Sequence, residues 1–370
     1  MRAWRVGVAA VIGWVAGVSL AISSRAEEEP AGRSVRTPEI TSKVEESVRR
    51  ACTWLAKNQT KDGSLQSSYA VAATGLAGLA WLASGSTPHE GPFADNIRRA
   101  LVYLLRCQAK SGFISENGGF GPSSMYGHGY SAQFFAQAYG MVRDDELGIR
   151  LKEGLKKAVV LIESTQNRFG GWNASPNADL TDDGSGAVAI MQITALRAAE
   201  SCGVHVRDKI IERSKKYLLE MTNDQGWFAY NYNSRGHGNS AATTGAGMYM
   251  IGALNLHENP KYAKGIKNLM SSCPFIKGAG NPQGWGQTGA WGWYYYTCFY
   301  ASLAIFQHGG DEWAKWYPAM AAELIRQQRK EGNWEDPYGG VFTSLAVLSL
   351  ELPYRYLPMF LEGGAGREGK

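Results

Sequence analysis

The stretch STQNRFGGWN, residues 164–173, decides the fold, because degenerate copies of it punctuate the chain. The others read KNQTKDGSLQ (57–66), RCQAKSGFIS (106–115), EMTNDQGWFAY (220–230), NPQGWGQTG (281–289) and QQRKEGNWED (327–336). Their glycines, Gly63, Gly112, Gly170, Gly226, Gly284 and Gly332, fall 49, 58, 56, 58 and 48 residues apart. Self-similarity at such a period marks a repeat architecture. Gln59, Gln108, Gln166 and Gln327 end the segment before each turn and are expected to bond the carbonyls left free there. The glycine supplies the left-handed residue that stops a helix. The aromatic after it (Phe113, Trp172, Trp227, Trp285, Trp334) is expected to fill the gap between neighbouring units.

The segments on either side of the turn differ. VEESVRRACTWLAKNQ and EWAKWYPAMAAELIRQQ carry their charge on one stripe, as a surface helix does, whereas AVAATGLAGLAWLA, GAVAIMQITALRAA and TTGAGMYMIGALNL have almost none, as a buried helix does. Strand signals are missing. The sequence therefore predicts an all-α fold: six helix-turn-helix repeats closed into an α6/α6 toroid, first helices outside and second helices inside. The predicted boundaries are 1–26 for an export signal, 27–43 for a polar lead-in, 44–362 for the toroid and 363–370 for a flexible tail.

The export signal is read from Arg2 and Arg5, the apolar run Val6 to Ile22, and the small residues around Ser24-Arg25-Ala26. It implies a periplasmic or extracellular protein with no stable membrane span after cleavage; an uncleaved run would anchor it instead. Loss of residues 1–26 removes three arginines and lowers the formal charge from +5 to +2. With no basic stripe interleaved with aromatics, nucleic acid is not an expected partner. Five widely spaced cysteines, none in a CxxC pair, read as small buried hydrophobes.

The Gln-x-x-x-Gly-x-Trp turns resemble those of squalene–hopene cyclases and protein prenyltransferase β subunits. MYGHGYSAQFFAQAYG, QNRFGGWN with ITALRAAESCG, YYYTCFYASLAIFQHGGDEWAKW and GNWEDPYGGVFTSLAVLSLELPYRYLPMF are similar to exported planctomycete-type prenyltransferase/squalene-oxidase-repeat proteins. The likeness spans about 300 residues and implies the same toroid. It does not carry the chemistry across. The cyclases' Asp-x-Asp-Asp-Thr-Ala acid matches only Asn177-Ala178-Asp179-Leu180-Thr181, or in another register Asp182-Asp183 followed by Gly-Ser. The prenyltransferases' zinc segment Tyr-His-Thr-Cys becomes Tyr295-Tyr296-Thr297-Cys298, and a phenol does not replace an imidazole in a zinc site. No metal and no cofactor is expected.

The turns feed the N-termini of the inner helices, so those termini ring one mouth, where their dipoles favour an anionic or oxyanion-bearing ligand. The expected ligand-binding residues there are Tyr126, His128, Asp179, Asp182, Tyr230, His237, Trp291, Trp293, Tyr295 and Tyr338. Asp179, Asp183 and His128 are the candidates for acid–base work. Each has a plainer alternative: the aspartates cap the inner helix beginning near Gly184, the histidines hold structure, and the aromatics fill the barrel. The reading that results is a ligand- or partner-binding module with a central cavity. Its ligand is apolar or a glycan, and a protein partner fits as well. The alternatives are an enzyme acting on an isoprenoid and a carbohydrate-active lyase or hydrolase.

Overall fold

A computed structural model describes residues 42–116, 124–142, 145–177, 183–237, 240–276, 293–354 and 357. The proposed signal and most of the lead-in (residues 1–41) and the tail fall outside the described residues. So do Asp179, Asp182, Gly284, Trp285 and Trp291.

The described residues form helices and turns, with no strand among them. The outer helices are α1 (Ser42–Lys57), α3 (Ala94–Arg106), α5 (Glu146–Ser164), α7 (Asp208–Met221), α9 (Pro260–Ser272) and α11 (Gly310–Gln327). The inner helices are α2 (Ala70–Ala83), α4 (Ser124–Tyr139), α6 (Gly186–Ser201), α8 (Ala241–Ala253), α10 (Tyr294–His308) and α12 (Val341–Leu350). α8 is buried at every residue, whereas α3 buries only Ile97, Ala100, Leu101 and Leu104, one stripe of its surface. Each inner helix packs on the inner helices of the units before and after it, and α12 returns to α2. The result is the expected α/α toroid. No described helix is long and apolar enough to cross a membrane.

The joints between units are built by the turns. Gln59 Nε2 donates to the Gly63 carbonyl of its own turn (2.9 Å) and to Asn96 O on the next outer helix (3.0 Å). Gln108 does the same to Gly112 and Gly154, and Gln166 to Gly170 and Ile210. In the sixth unit the role belongs to Gln328, one residue beyond the expected Gln327; it donates to Gly332 O (2.7 Å) and Ser47 O (2.8 Å). These glutamines thus bind the neighbouring unit rather than the free carbonyls of their own helix. The turn glycines Gly63, Gly112, Gly170, Gly226 and Gly332 all have φ between +88° and +101°. Each faces the next outer helix so closely that a Cβ on Gly170 would lie 2.4 Å from Arg213 O.

In every described unit the residue two places after that glycine, which plugs the unit, is buried, as expected of Trp172 and Trp334; Phe113, one place after, is buried as well, but in the fourth unit Phe228 takes the place expected of Trp227. Leu65, Ile114, Trp172, Phe228 and Trp334 are all buried, while Trp227 is partly exposed. Trp172 Nε1 donates to Ile162 O (2.7 Å) and Trp334 Nε1 to Leu324 O (2.8 Å), ten residues back on the same unit's outer helix. This aromatic closes its own unit, and the glutamine joins that unit to the next. All five cysteines are free thiols; Cys52, Cys273 and Cys298 are buried, and Cys107 and Cys202 are half-buried. Burial lifts the thiols of all five.

Candidate functional site

The backbone N–H of the plug residue needs a partner, and in the first, second, fourth and sixth units a side chain on the inner helix provides it. Thr74 Oγ1 accepts from Leu65 N (2.9 Å), Thr244 Oγ1 from Phe228 N (3.1 Å) and Thr343 Oγ1 from Trp334 N (3.4 Å). In the second unit the acceptor is His128, whose Nδ1 accepts from Ile114 N (3.2 Å). His128 is fully buried, and burial pushes its pKa down to about 4, with the Ala158 carbonyl opposing part of the shift. Its neutral form carries the proton on Nε2, because Nδ1 is an acceptor. His128 therefore stands in for a threonine inside the wall and does not line the mouth. His237 is exposed beyond the 3-10 turn Tyr232–Ser234, so the two histidines do not face each other.

Several other expected site residues also hold the scaffold. Tyr295 is buried and donates to Gln327 Oε1 (3.1 Å). Asp183 accepts from Asn233 N (3.1 Å), so it ties the third unit to the fourth; the cap of α6 is Ser185, which accepts from Val188 N. Asp336 accepts from Tyr338 N and Thr343 N at the start of α12. Desolvation raises its pKa while those N–H groups oppose the shift. Glu116 Oε1 accepts from Val71 N (2.8 Å) at the start of α2. Two inner-helix N-termini are thus already served by carboxylates of this chain, which weakens the argument from helix dipoles for an anionic ligand.

The mouth itself is aromatic and phenolic. Among the described residues the exposed large apolar side chains are Tyr69, Ile149, Val160, Tyr230 and Trp293. Tyr69 and Trp293 immediately precede inner helices, and the Tyr230 carbonyl is fixed to the start of α6 by Gly186 N (2.6 Å). Tyr338 joins the rim edge-on to Tyr69, with ring centroids 5.6 Å apart. One turn inward, Tyr126 Oη lies 3.4 Å from Ser185 Oγ. Tyr296 lies edge-on to Trp293 at 5.8 Å, and its buried hydroxyl has no hydrogen-bond partner among the described residues. Burial raises the phenols of Tyr126, Tyr130 and Tyr296, and Tyr126, Tyr130 and Tyr230 add to the rise at Tyr296, so these hydroxyls cluster.

Below them the lumen is crossed. Tyr300 Oη lies 3.4 Å from Tyr130 Oη and 3.0 Å from Met191 Sδ. α4 and α10 stand three places apart in the ring of six, hence opposite one another. Tyr130 and Tyr300 are each the seventh residue of their helix, about 9 Å from its start at 1.5 Å per residue. This central bar is the feature the sequence did not reveal, because residues on opposite helices are 170 positions apart.

No protein-family model matches the sequence, and comparison with curated proteins finds no match. Solved structures do match in fold. One is the GH76A α-1,6-mannanase of Salegentibacter sp. HEL1_6, in an inactive variant with two consecutive aspartates replaced, bound to α-1,6-mannotriose. It is 9% identical, covers 83% of this chain and 98% of its own, and has a TM-score of 0.59. Another is the type II terpene cyclase MstE from Scytonema with geranylgeranyl dihydroxybenzoate, 15% identical over 84% of this chain and 97% of its own, TM-score 0.55. At these identities the likeness establishes the α/α toroid and nothing finer.

Proposed function

We propose that this chain is an exported ligand-binding module whose inner-helix mouth holds a glycan. The observation that carries the reading is the buried, unpartnered Tyr296 hydroxyl beneath the half-exposed Trp293. An indole face takes the apolar face of a sugar ring, and the nearby Tyr126 and Tyr230 supply hydroxyls for its polar edge. A buried hydroxyl without a partner gains a hydrogen bond when a ligand hydroxyl arrives. The Tyr130–Tyr300 bar argues against the deep apolar tunnel that a long isoprenoid needs. The test is calorimetric titration with α-1,6-mannotriose, the ligand of the mannanase complex, against Trp293→Ala and Tyr296→Phe. Binding weakened at least about tenfold in Trp293→Ala, a cost of about 1.4 kcal/mol, supports the reading. Absence of saccharide binding, with capture of a geranylgeranyl probe instead, overturns it.

A hydrolase reading has one observation in its favour: consecutive aspartates, Asp182-Asp183, precede α6 in the sequence, and the mannanase is inactive when two consecutive aspartates are replaced. A pair of carboxyls flanking the scissile bond is what glycoside hydrolysis requires. Turnover of an α-1,6-mannan that disappears in Asp182→Asn would convert the binding module into an enzyme.

A further inference from the structure

We propose a second saccharide-binding site in the cleft formed by the first and second turns and the end of α3. The cleft encloses about 390 Å³ and is lined by Asp62, Tyr103, Arg106, Cys107, Gln108, Ala109 and Ser115. That volume falls in the range of small-molecule sites, about 300–1,000 Å³. Ser115 marks it as a site: it lines the cleft, is 4% exposed, and its Oγ has no hydrogen-bond partner among the described residues. Its backbone is spoken for, since Ser115 N donates to Cys107 O, but the hydroxyl is not. A buried hydroxyl without a partner is costly unless something that enters the cleft completes it.

The surrounding groups define what would enter. Asp62 is held ionised by hydrogen bonds from Thr60 and Ser64. Arg106 donates to the Asp62 carbonyl, so one acid and one base lie side by side and no net charge asks for a counter-ion. Tyr103 and Cys107 are hydrogen-bonded to one another and are kept neutral by burial, with Glu116 and Asp62 adding to the effect. A half-buried phenol ring, a charged acceptor, a charged donor and an orphan hydroxyl together fit a neutral polyhydroxylated ring. A zwitterion would also match the acid–base pair, but it would leave the hydroxyl, the one group in need, without a hydroxyl partner. The cleft is independent of the mouth reading: none of the rim aromatics named above is among its lining residues.

Cys107 gives a local readout. Cys52, Cys273 and Cys298 are buried and Cys202 is half-buried away from the cleft, so it serves as the internal control. Alkylation with iodoacetamide, followed by peptide mass spectrometry, should slow at Cys107 about fivefold at about four times the dissociation constant of added α-1,6-mannotriose or maltotriose, with Cys202 unchanged. Ser115→Ala should lessen the protection and Ala109→Trp, which fills the cleft, should abolish it; circular dichroism confirms that each variant folds. The double variant Trp293→Ala/Tyr230→Ala should leave protection of Cys107 intact even if the mouth has lost its ligand. Equal slowing at Cys202, no slowing at saturating saccharide, or protection by free alanine but by neither saccharide would overturn the proposal.

Discussion

Gln328 and Ser47 exchange two hydrogen bonds across the seam of the ring: Nε2 donates to the Ser47 carbonyl (2.8 Å) and Ser47 Oγ donates to Oε1 (3.0 Å). The last outer helix is thereby fastened to the first by the same device that joins Gln59 to Asn96 and Gln166 to Ile210. Gln328→Ala should cost about 1–3 kcal/mol, since two buried or half-buried carbonyls lose a donor and Ser47 loses its acceptor. Urea unfolding measures it, and Gln166→Ala, an interior joint, should cost a similar amount. A seam variant with an unchanged midpoint would mean that the ring is not held shut here.

Two glycines separate the cost of backbone handedness from the cost of crowding. Gly170 and Gly203 both have positive φ, +94° and +82°. A Cβ on Gly170 meets Arg213 O at 2.4 Å, whereas one on Gly203 meets nothing within 4 Å. Gly203→Ala should lose about 1–2 kcal/mol, the penalty for a left-handed alanine. Gly170→Ala should lose clearly more, and thermal or urea unfolding of the pair reports the difference.

His128 should give the fold an acid limb. Its pKa of about 4 lies below the ordinary value of 6.5, so the folded state binds fewer protons than the unfolded chain between those values. Stability is complete above pH 6.5 and falls as the pH drops towards 4, by at most about 1.4 kcal/mol per pH unit. His128→Thr, which restores the residue used at Thr74, Thr244 and Thr343, should fold, keep the acceptor for Ile114 N and flatten that limb. A folded variant that keeps the same slope would assign the limb elsewhere.

Glu351 should act in the opposite direction. It is buried at the end of α12 near Glu45, and the loss of solvent lifts its carboxyl to about 8. The folded state holds its proton where the unfolded chain has released it, so the stabilisation present below pH 4.5 is lost as the pH rises through 8. Glu351→Gln should remove that decline and leave the protein more stable than the parent at pH 8 in urea unfolding.

The fold was readable because its signal is distributed: six copies of one turn and a contrast between charged and uncharged helices survive the loss of any single clue. The roles of individual residues were not, for physical reasons. His128 is the counterpart of Thr74, yet it follows its turn glycine by 16 residues where Thr74 follows by 11, so the equivalence is visible only once both meet the same backbone N–H. Trp227 and Phe228 are adjacent aromatics, and burial alone distinguishes them. Gln327 and Gln328 are adjacent and chemically identical, and only the position of Ser47 distinguishes them. Tyrosine and tryptophan before a buried helix have one exposed side, and Tyr230 and Trp293 are exposed; Tyr69 carries the same signal in the sequence.

The seam also bears on chain order. Tyr354 Oη reaches Glu45 Oε1 at 3.3 Å, so the far end of the last unit lies beside the start of the first. Because that junction uses the chemistry of the first three interior ones, the fold specifies a cyclic succession of units and not a starting point. A circular permutant, with Leu357 spliced to Ser42 through a short linker and new termini cut at Gly203, should therefore assemble the same ring. What a lineage built this way can vary freely is where its gene begins; what it cannot vary without breaking a joint is which unit stands next to which.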